Sequence, residues 1–399
     1  MVTAVAREAT APLKIIMIVF KLPYIMYRAY PNFGYLTDNR NFGYDTASMS
    51  RLKVGDLLLS KTGSMFYSQL SDSPKNIEDI IGSLCELFTD IPYATIEADA
   101  VKFFTLLHSK GFVYLGEEVD LAKIRNQYFS YDKVQPYELQ ASDKLETQKT
   151  YESTFGMDYR LTRLHVDISS RCNENCVHCY IPTYKKRSLM TEDMFDVIIR
   201  QSKVMNVLNL TISGGEPMLN PSLDKFLQKC RVNNFSVNLL SNLTLLTENL
   251  LDIISDNPLI SVQTSLYAMD EKIHDAITQQ RGSFKKTTSA IKRLRERDVP
   301  LQINCPIMKS NFKHYIDVLN FAKSLNIEAD SDYLLYGCYD FSKSNLSCRL
   351  DIDEIEHIVK IVKRGYANVR DLLDPNSKDT FKSELTIDKY YQFTNMLFA

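Results

Sequence analysis

From residue 162 onward, short apolar runs alternate with longer stretches in which apolar residues return every three or four positions. The runs at 164–169, 207–213, 235–240, 259–266, 300–305 and, more faintly, 330–336 have the length and flanks of strands. Helical periods lie between them. One starts at Thr191, an N-cap with Glu192 and Asp193 in its first turn. The next, from Ser222, sets Leu223, Phe226, Leu227 and Cys230 on one face. A third is capped at Thr247, a fourth runs from Ser283 with Phe284, Thr287, Ile291 and Leu294 inward, and a fifth covers 312–325. Strand and helix in alternation predict a parallel βα array, an α/β fold. Six such units make three-quarters of an eight-stranded barrel, and a ligand of such an array sits at the carboxyl ends of its strands.

The first 120 residues carry a different pattern. Residues 1–12 predict a loose start, and 13–36, rich in aromatic and β-branched residues, predict a strand or two. Two extended pieces, 54–59 and 64–70, are expected around a Lys61-Thr-Gly63 turn. A helix over 76–88, announced by Pro74, puts Ile77, Ile80, Ile81, Leu84 and Phe88 on one face. A second, about 96–109, turns Val101, Phe104 and Leu107 inward and ends at Gly111, before a strand at 112–115. Strand–strand–helix–helix–strand of this size predicts a small α+β winged helix-turn-helix domain. Residues 76–110 hold no Arg and only Lys102 and Lys110, so the basic helix of a nucleic-acid reader is missing. The expected organisation is a domain over 1–120, a polar linker over 121–160, the partial barrel over 161–336 and a C-terminal extension over 337–399.

Composition changes this picture little. A chain of 399 residues suggests two or three domains, and 45% hydrophobic with 24% charged residues is ordinary for a globular protein. The net charge of −2 gives no sign of a nucleic-acid partner. Eight cysteines, irregularly spread, do not make a disulfide framework, and three of them in one cluster point to metal in a reducing compartment. The most apolar stretch, 15–27, is broken by Lys21 and Pro23 and is too short to span a bilayer. It is followed by no small-residue cleavage site, so a cytoplasmic protein is expected.

The candidate chemistry begins straight after the apolar run 164–168. There Cys172, Cys176 and Cys179 stand at C-x3-C-x2-C spacing, with Tyr180 behind them. Three thiolates on one loop can wrap an iron–sulfur cube, which ordinarily takes four, and so leave one iron open to an outside ligand. With His178 between two of them, the same residues also compose a Cys3His zinc set. Farther on, Thr211-Ile-Ser-Gly214-Gly215-Glu216-Pro217 again follows an apolar run. Alone it reads as a tight turn ending a strand, and its glycines also permit a close approach of main chain to a ligand.

Together, in this order and one βα unit apart, the two motifs resemble those of the radical S-adenosylmethionine (SAM) enzymes, a resemblance that covers about 160–336. It implies a [4Fe-4S] cluster on Cys172, Cys176 and Cys179 whose open iron chelates SAM. An electron, delivered by a donor such as flavodoxin or ferredoxin, then cleaves SAM to methionine and a 5′-deoxyadenosyl radical. The resemblance also implies that Gly214, Gly215, Glu216 and Pro217 position SAM, with Glu216 accepting from its ammonium. Ser241 and Ser265 would meet its carboxylate and ribose, Asn304 its ribose and Tyr180 its adenine; serine and asparagine suit strand-end turns equally well. Arg281 is a candidate to neutralise the carboxylate. His274 reads as a helix-surface or capping residue rather than a catalytic base.

Ser265-Leu-Tyr267, His274-Asp275 and Gly282-Ser283-Phe284 resemble the peptide-maturase branch of that family. The N-terminal pattern resembles its PqqD-like recognition element, whose wing takes up the leader of a precursor peptide as an added strand. The expected function is maturation of a ribosomally synthesised peptide by a thioether or other cross-link, or by epimerisation, with no nucleic-acid or membrane partner. The alternatives are a protein-modifying enzyme of the sulfatase-maturase type and a winged-helix iron–sulfur or zinc sensor that binds DNA. Such maturases usually continue into a cysteine-rich SPASM or twitch region with auxiliary clusters. Here only Cys338 and Cys348 follow the last strand, so either such clusters are absent or the chain is a shortened version. Cys85, Cys230 and Cys305 read as small core residues.

Overall fold

The structure is a computed structural model that describes residues 17–37, 56–117, 119–120, 161–355 and 358. They divide into two compact units, residues 17–37 with 56–120, and residues 161–358. The expected loose start, the linker and most of the C-terminal extension lie outside the described residues.

The first unit holds β1 (Ile18–Lys21), β2 (Met26–Ala29), β3 (Phe33–Thr37), β4 (Asp56–Ser60), α1 (Lys61–Ser68), β5 (Lys75–Asn76), α2 (Ile77–Leu87), α3 (Tyr93–Ser109) and β6 (Val113–Gly116). Its strands form two three-stranded antiparallel sheets, in the orders β5-β1-β6 and β2-β3-β4. Residues 64–70, expected to be extended, are mostly the helix α1. The Ser60 hydroxyl accepts from Gly63 N and caps it, and Ser64 and Tyr67 are buried at helical spacing beside Phe66. In α3 the inward face is Ile96, Ala100, Phe104 and Leu107, whereas Val101, expected inside, is 44% exposed. A spacing of four, four and three keeps one helical face, and Val101 falls off it. Gly111, one residue past the cap Lys110, takes φ +76°, the left-handed turn that ends many helices.

The second unit holds β7 (Arg163–Ser169), α4 (Glu192–Val204), β8 (Asn209–Gly214), α5 (Leu223–Val232), β9 (Ser236–Leu240), α6 (Glu248–Ser255), β10 (Ile260–Ser265), α7 (Glu271–Thr278), α8 (Ser283–Glu296), β11 (Leu301–Asn304), α9 (Tyr315–Ser324) and β12 (Glu328–Asp330). The six strands form one parallel sheet in the order β12-β11-β10-β9-β8-β7. Neighbours in sequence are neighbours in the sheet, as in a partial barrel of βα units. The core is built from strand residues such as Ile168, Leu210 and Val262 against helix residues such as Phe195, Phe226 and Leu294. Thr191 and Thr247 cap α4 and α6, their hydroxyls accepting from Met194 N and Leu250 N at 3.3 and 3.2 Å.

Two elements differ from expectation. The sixth strand is 328–330 rather than 330–336, its register with β11 pairing Gln302 with Glu328 and Asn304 with Asp330. Helix α7 was not anticipated as an element. It makes His274 a buried residue, 1% exposed, and not a surface one. Among the described residues, no helix is long and apolar enough to cross a membrane.

Candidate active site at the strand ends

Parallel strands end at one edge of their sheet, so the loops after β7, β8, β9, β10 and β11 meet there. They enclose a cavity of about 220 Å³. Cys172, Cys176 and Cys179 line it, together with Tyr180, Gly214, Gly215, Ser241, Ser265 and Asn304. The topology therefore brings together nine of the eleven residues expected at the site. Glu216 and Pro217 do not line it.

Glu216 is fully buried and turned to its own chain. Its Oε1 accepts from Met218 N at 2.9 Å and from Ser241 Oγ at 2.7 Å, and its Oε2 accepts from Asn242 N at 2.8 Å. That carboxylate ties the end of β8 to the end of β9. Burial pushes the carboxyl up to about 7, against the pull of those donors. The adjoining glycines also have a structural reason. A Cβ on Gly214 would stand 2.0 Å from the Ser169 carbonyl oxygen, and one on Gly215 2.5 Å from that of Arg171. The cysteine loop lies against the backbone of this turn, with Gly215 N donating to Ser169 O and Glu216 N to Arg171 O.

Reading strand ends by family missed several cavity residues. Lys186 lines the wall, its Nζ donating to the carbonyl of Glu174 at 3.1 Å, whereas Arg281 is exposed and is not part of the lining. Thr264 Oγ1, Asn304 Oδ1 and His178 Nδ1, all on residues that line the cavity, are buried without a hydrogen-bond partner. The signal for Thr264 was its place one residue before a strand end; nothing in the sequence marked Lys186.

Residues 166–322 match the Radical SAM superfamily. The chain carries a radical SAM domain. Over 188 residues it is 27% identical to the PqqA peptide cyclase of Bradyrhizobium diazoefficiens, covering 47% of this chain and 48% of that one. An AdoMet-dependent heme synthase of Methanosarcina barkeri is 25% identical over 194 residues, 48% of this chain and 55% of that one. The chain thus spans about half the length of these curated relatives. Among solved structures, Streptococcus suis SuiB bound to precursor peptide SuiA shares the fold, with a TM-score of 0.51 at 16% identity over 86% of this chain and 69% of SuiB.

The radical SAM domain's residues fit the groups that its family uses. Burial pushes the Cys172 thiol up to about 11 and raises that of Cys176 well above its ordinary value. Among the described residues, no three His, Cys, Asp or Glu side chains are gathered so as to hold a metal ion on their own. His178 keeps its Nδ1 without a partner, while its Nε2 lies 3.4 Å from Tyr267 Oη. The partnerless polar atoms on the wall call for a polar ligand, and Lys186 supplies a cation suited to a carboxylate.

Proposed function

We propose that this chain is a radical SAM enzyme that modifies a ribosomally synthesised precursor peptide. The observation that carries the reading is the single cavity in which the three cysteines of one loop face the strand-end polar groups of the same sheet. Cys172, Cys176 and Cys179 would hold the cluster. Together with SAM, that group supplies one-electron reductive cleavage and a carbon radical. The chain's own residues do the rest. Lys186 offers its ammonium to the SAM carboxylate, Ser265 and Asn304 offer hydroxyl and amide to its ribose, and Tyr180 flanks the opening for its adenine. Glu216 acts one step back, holding Ser241 and the backbone of Asn242 in place.

Similarity to a peptide cyclase and the fold shared with SuiB support a peptide as substrate. The first unit would hold the leader, in the manner of a PqqD-like element. Among the described residues its two small sheets end in edge strands, and a sheet edge can take an added strand. The electron would come from a flavodoxin or ferredoxin. Whether the product is a thioether, another cross-link or an epimer depends on the peptide.

Anaerobic reconstitution with iron, sulfide, dithionite and SAM tests this, with 5′-deoxyadenosine and metal as readouts. About four irons per chain are expected from a single cube, with deoxyadenosine formed by the wild type and abolished in Cys176→Ala. Zinc binding without deoxyadenosine would sink the reading. Co-expression with short reading frames that neighbour the gene then tests the peptide, as a mass change that depends on Cys176.

A further inference from the structure

One acidic side chain of the cysteine loop has no part in the function above. Glu174 stands between Cys172 and Cys176, is 6% exposed and lines the cavity. Its Oε1 accepts a hydrogen bond from the hydroxyl of Ser283, the first residue of α8, and its Oε2 one from the Cys176 thiol at 3.6 Å. The Ser283 hydroxyl is 3.2 Å from His274 Nε2, and His274 Nδ1 is 3.3 Å from the backbone nitrogen of Tyr267.

The proton order follows from chemistry. A backbone N–H only donates, so His274 Nδ1 accepts and the neutral ring carries its proton on Nε2. Nε2–H then donates to the Ser283 oxygen, which leaves the single hydroxyl proton for Glu174. Burial keeps the ring neutral by pushing His274 down to about 4. Tyr267, His274, Ser283 and Glu174 are all buried, where a hydrogen bond is stronger than in water. Helix α7 also takes the loop's backbone. Asn175 N donates to Thr278 O at 3.0 Å, and Val177 N to Ile277 O at 2.9 Å.

We propose that Tyr267, His274, Ser283 and Glu174 form a latch that holds the cysteine loop against α7 and α8, in the shape that receives the cluster. Glu174 and Ser283 are positioning residues in this account, which rests on the radical SAM reading above. Apart from the thiol of Cys176, a cluster ligand in that reading, Ser283 is the one side-chain donor to Glu174 among the described residues. What position 174 must supply is an acceptor at that point. Glutamine supplies one without charge, and alanine does not.

The test uses full-length wild type, Glu174→Gln, Glu174→Ala and Ser283→Ala. Reconstituted proteins are challenged with an iron chelator, and hydrogen exchange is followed across residues 172–179 in the metal-free chains. Glu174→Ala and Ser283→Ala should release iron about tenfold faster or more, the ratio set by one lost buried hydrogen bond, and their Asn175 and Val177 amides should exchange faster. Glu174→Gln should track the wild type in both. Equal loss in Gln and Ala variants would show that charge matters instead and overturn the latch, as would alanine variants that behave like wild type. A wild type that takes up no iron–sulfur cluster would refute the proposed function, while exchange in the metal-free chain still decides the latch.

Discussion

At the scale of single residues, two positions of the Gly-Gly-Glu-Pro segment carry sharp expectations. Gly214 has φ +133°, which side-chain-bearing residues rarely adopt, and its missing Cβ faces backbone that cannot step aside. Gly214→Ala should therefore cost several kcal/mol locally, on the order of a strained backbone plus a clash. SAM binding by equilibrium dialysis should fall below detection; binding at wild-type strength would refute the close packing. Glu216 predicts a pH effect. Its buried carboxyl lies at about 7, above the value of 4.5 for an exposed glutamate, so the folded chain binds that proton more tightly than the unfolded one. The stability this gives is fully present below about 4.5 and is lost as pH rises through about 7. Glutamine has no such proton. The stability of wild type relative to Glu216→Gln, measured by urea denaturation of the metal-free chain, should fall from pH 4.5 to 8, and a rise would contradict it. The cysteines and glycines were legible because their chemistry is local and their spacing short. The role of Glu216 was not, since its partners Ser241 and Asn242 lie a whole βα unit away.

At the scale of elements, the helices of the second unit were legible from their periods because each buries one face on the sheet. Phe226 was placed on such a face and is fully buried, its ring stacked on Phe195 with centroids 4.1 Å apart. Phe226→Ala should cost about 3–5 kcal/mol, the range for a large aromatic removed from a core, read as a lower urea midpoint at unchanged slope. A cost below about 1 kcal/mol would mean that the site collapses around the cavity. Short elements were the ones misjudged. Residues 61–68 carry a Gly and two Ser, poor helix formers, and only the Ser60 cap with burial of Phe66 and Tyr67 makes them a helix. Helix α7 spans Glu271–Thr278, too few residues to show more than two turns of a period.

At the scale of the whole molecule, the two units have separate cores. That of the first unit gathers Val19, Ile80, Ile81, Leu84, Ile96 and Phe104, none of which belongs to the core of the second. Phe104→Ala, again at about 3–5 kcal/mol, should lower the melting of the first unit while iron uptake by the radical SAM domain stays near wild type. Differential calorimetry with iron analysis checks this, and a joint loss of both would show the units to be one cooperative body. Sequence alone determined the alternation of strands and helices, hence the parallel sheet, and the loop that carries Cys172, Cys176 and Cys179. Both are written in periods and spacings of a few residues, where local chemistry decides. Tertiary structure alone decided which strand-end groups share the cavity, that Lys186 rather than Arg281 lines it, and that His274 and Glu174 meet across Ser283. Those contacts join residues up to 109 positions apart, and their energies come from burial and proton order that exist only once the chain has folded.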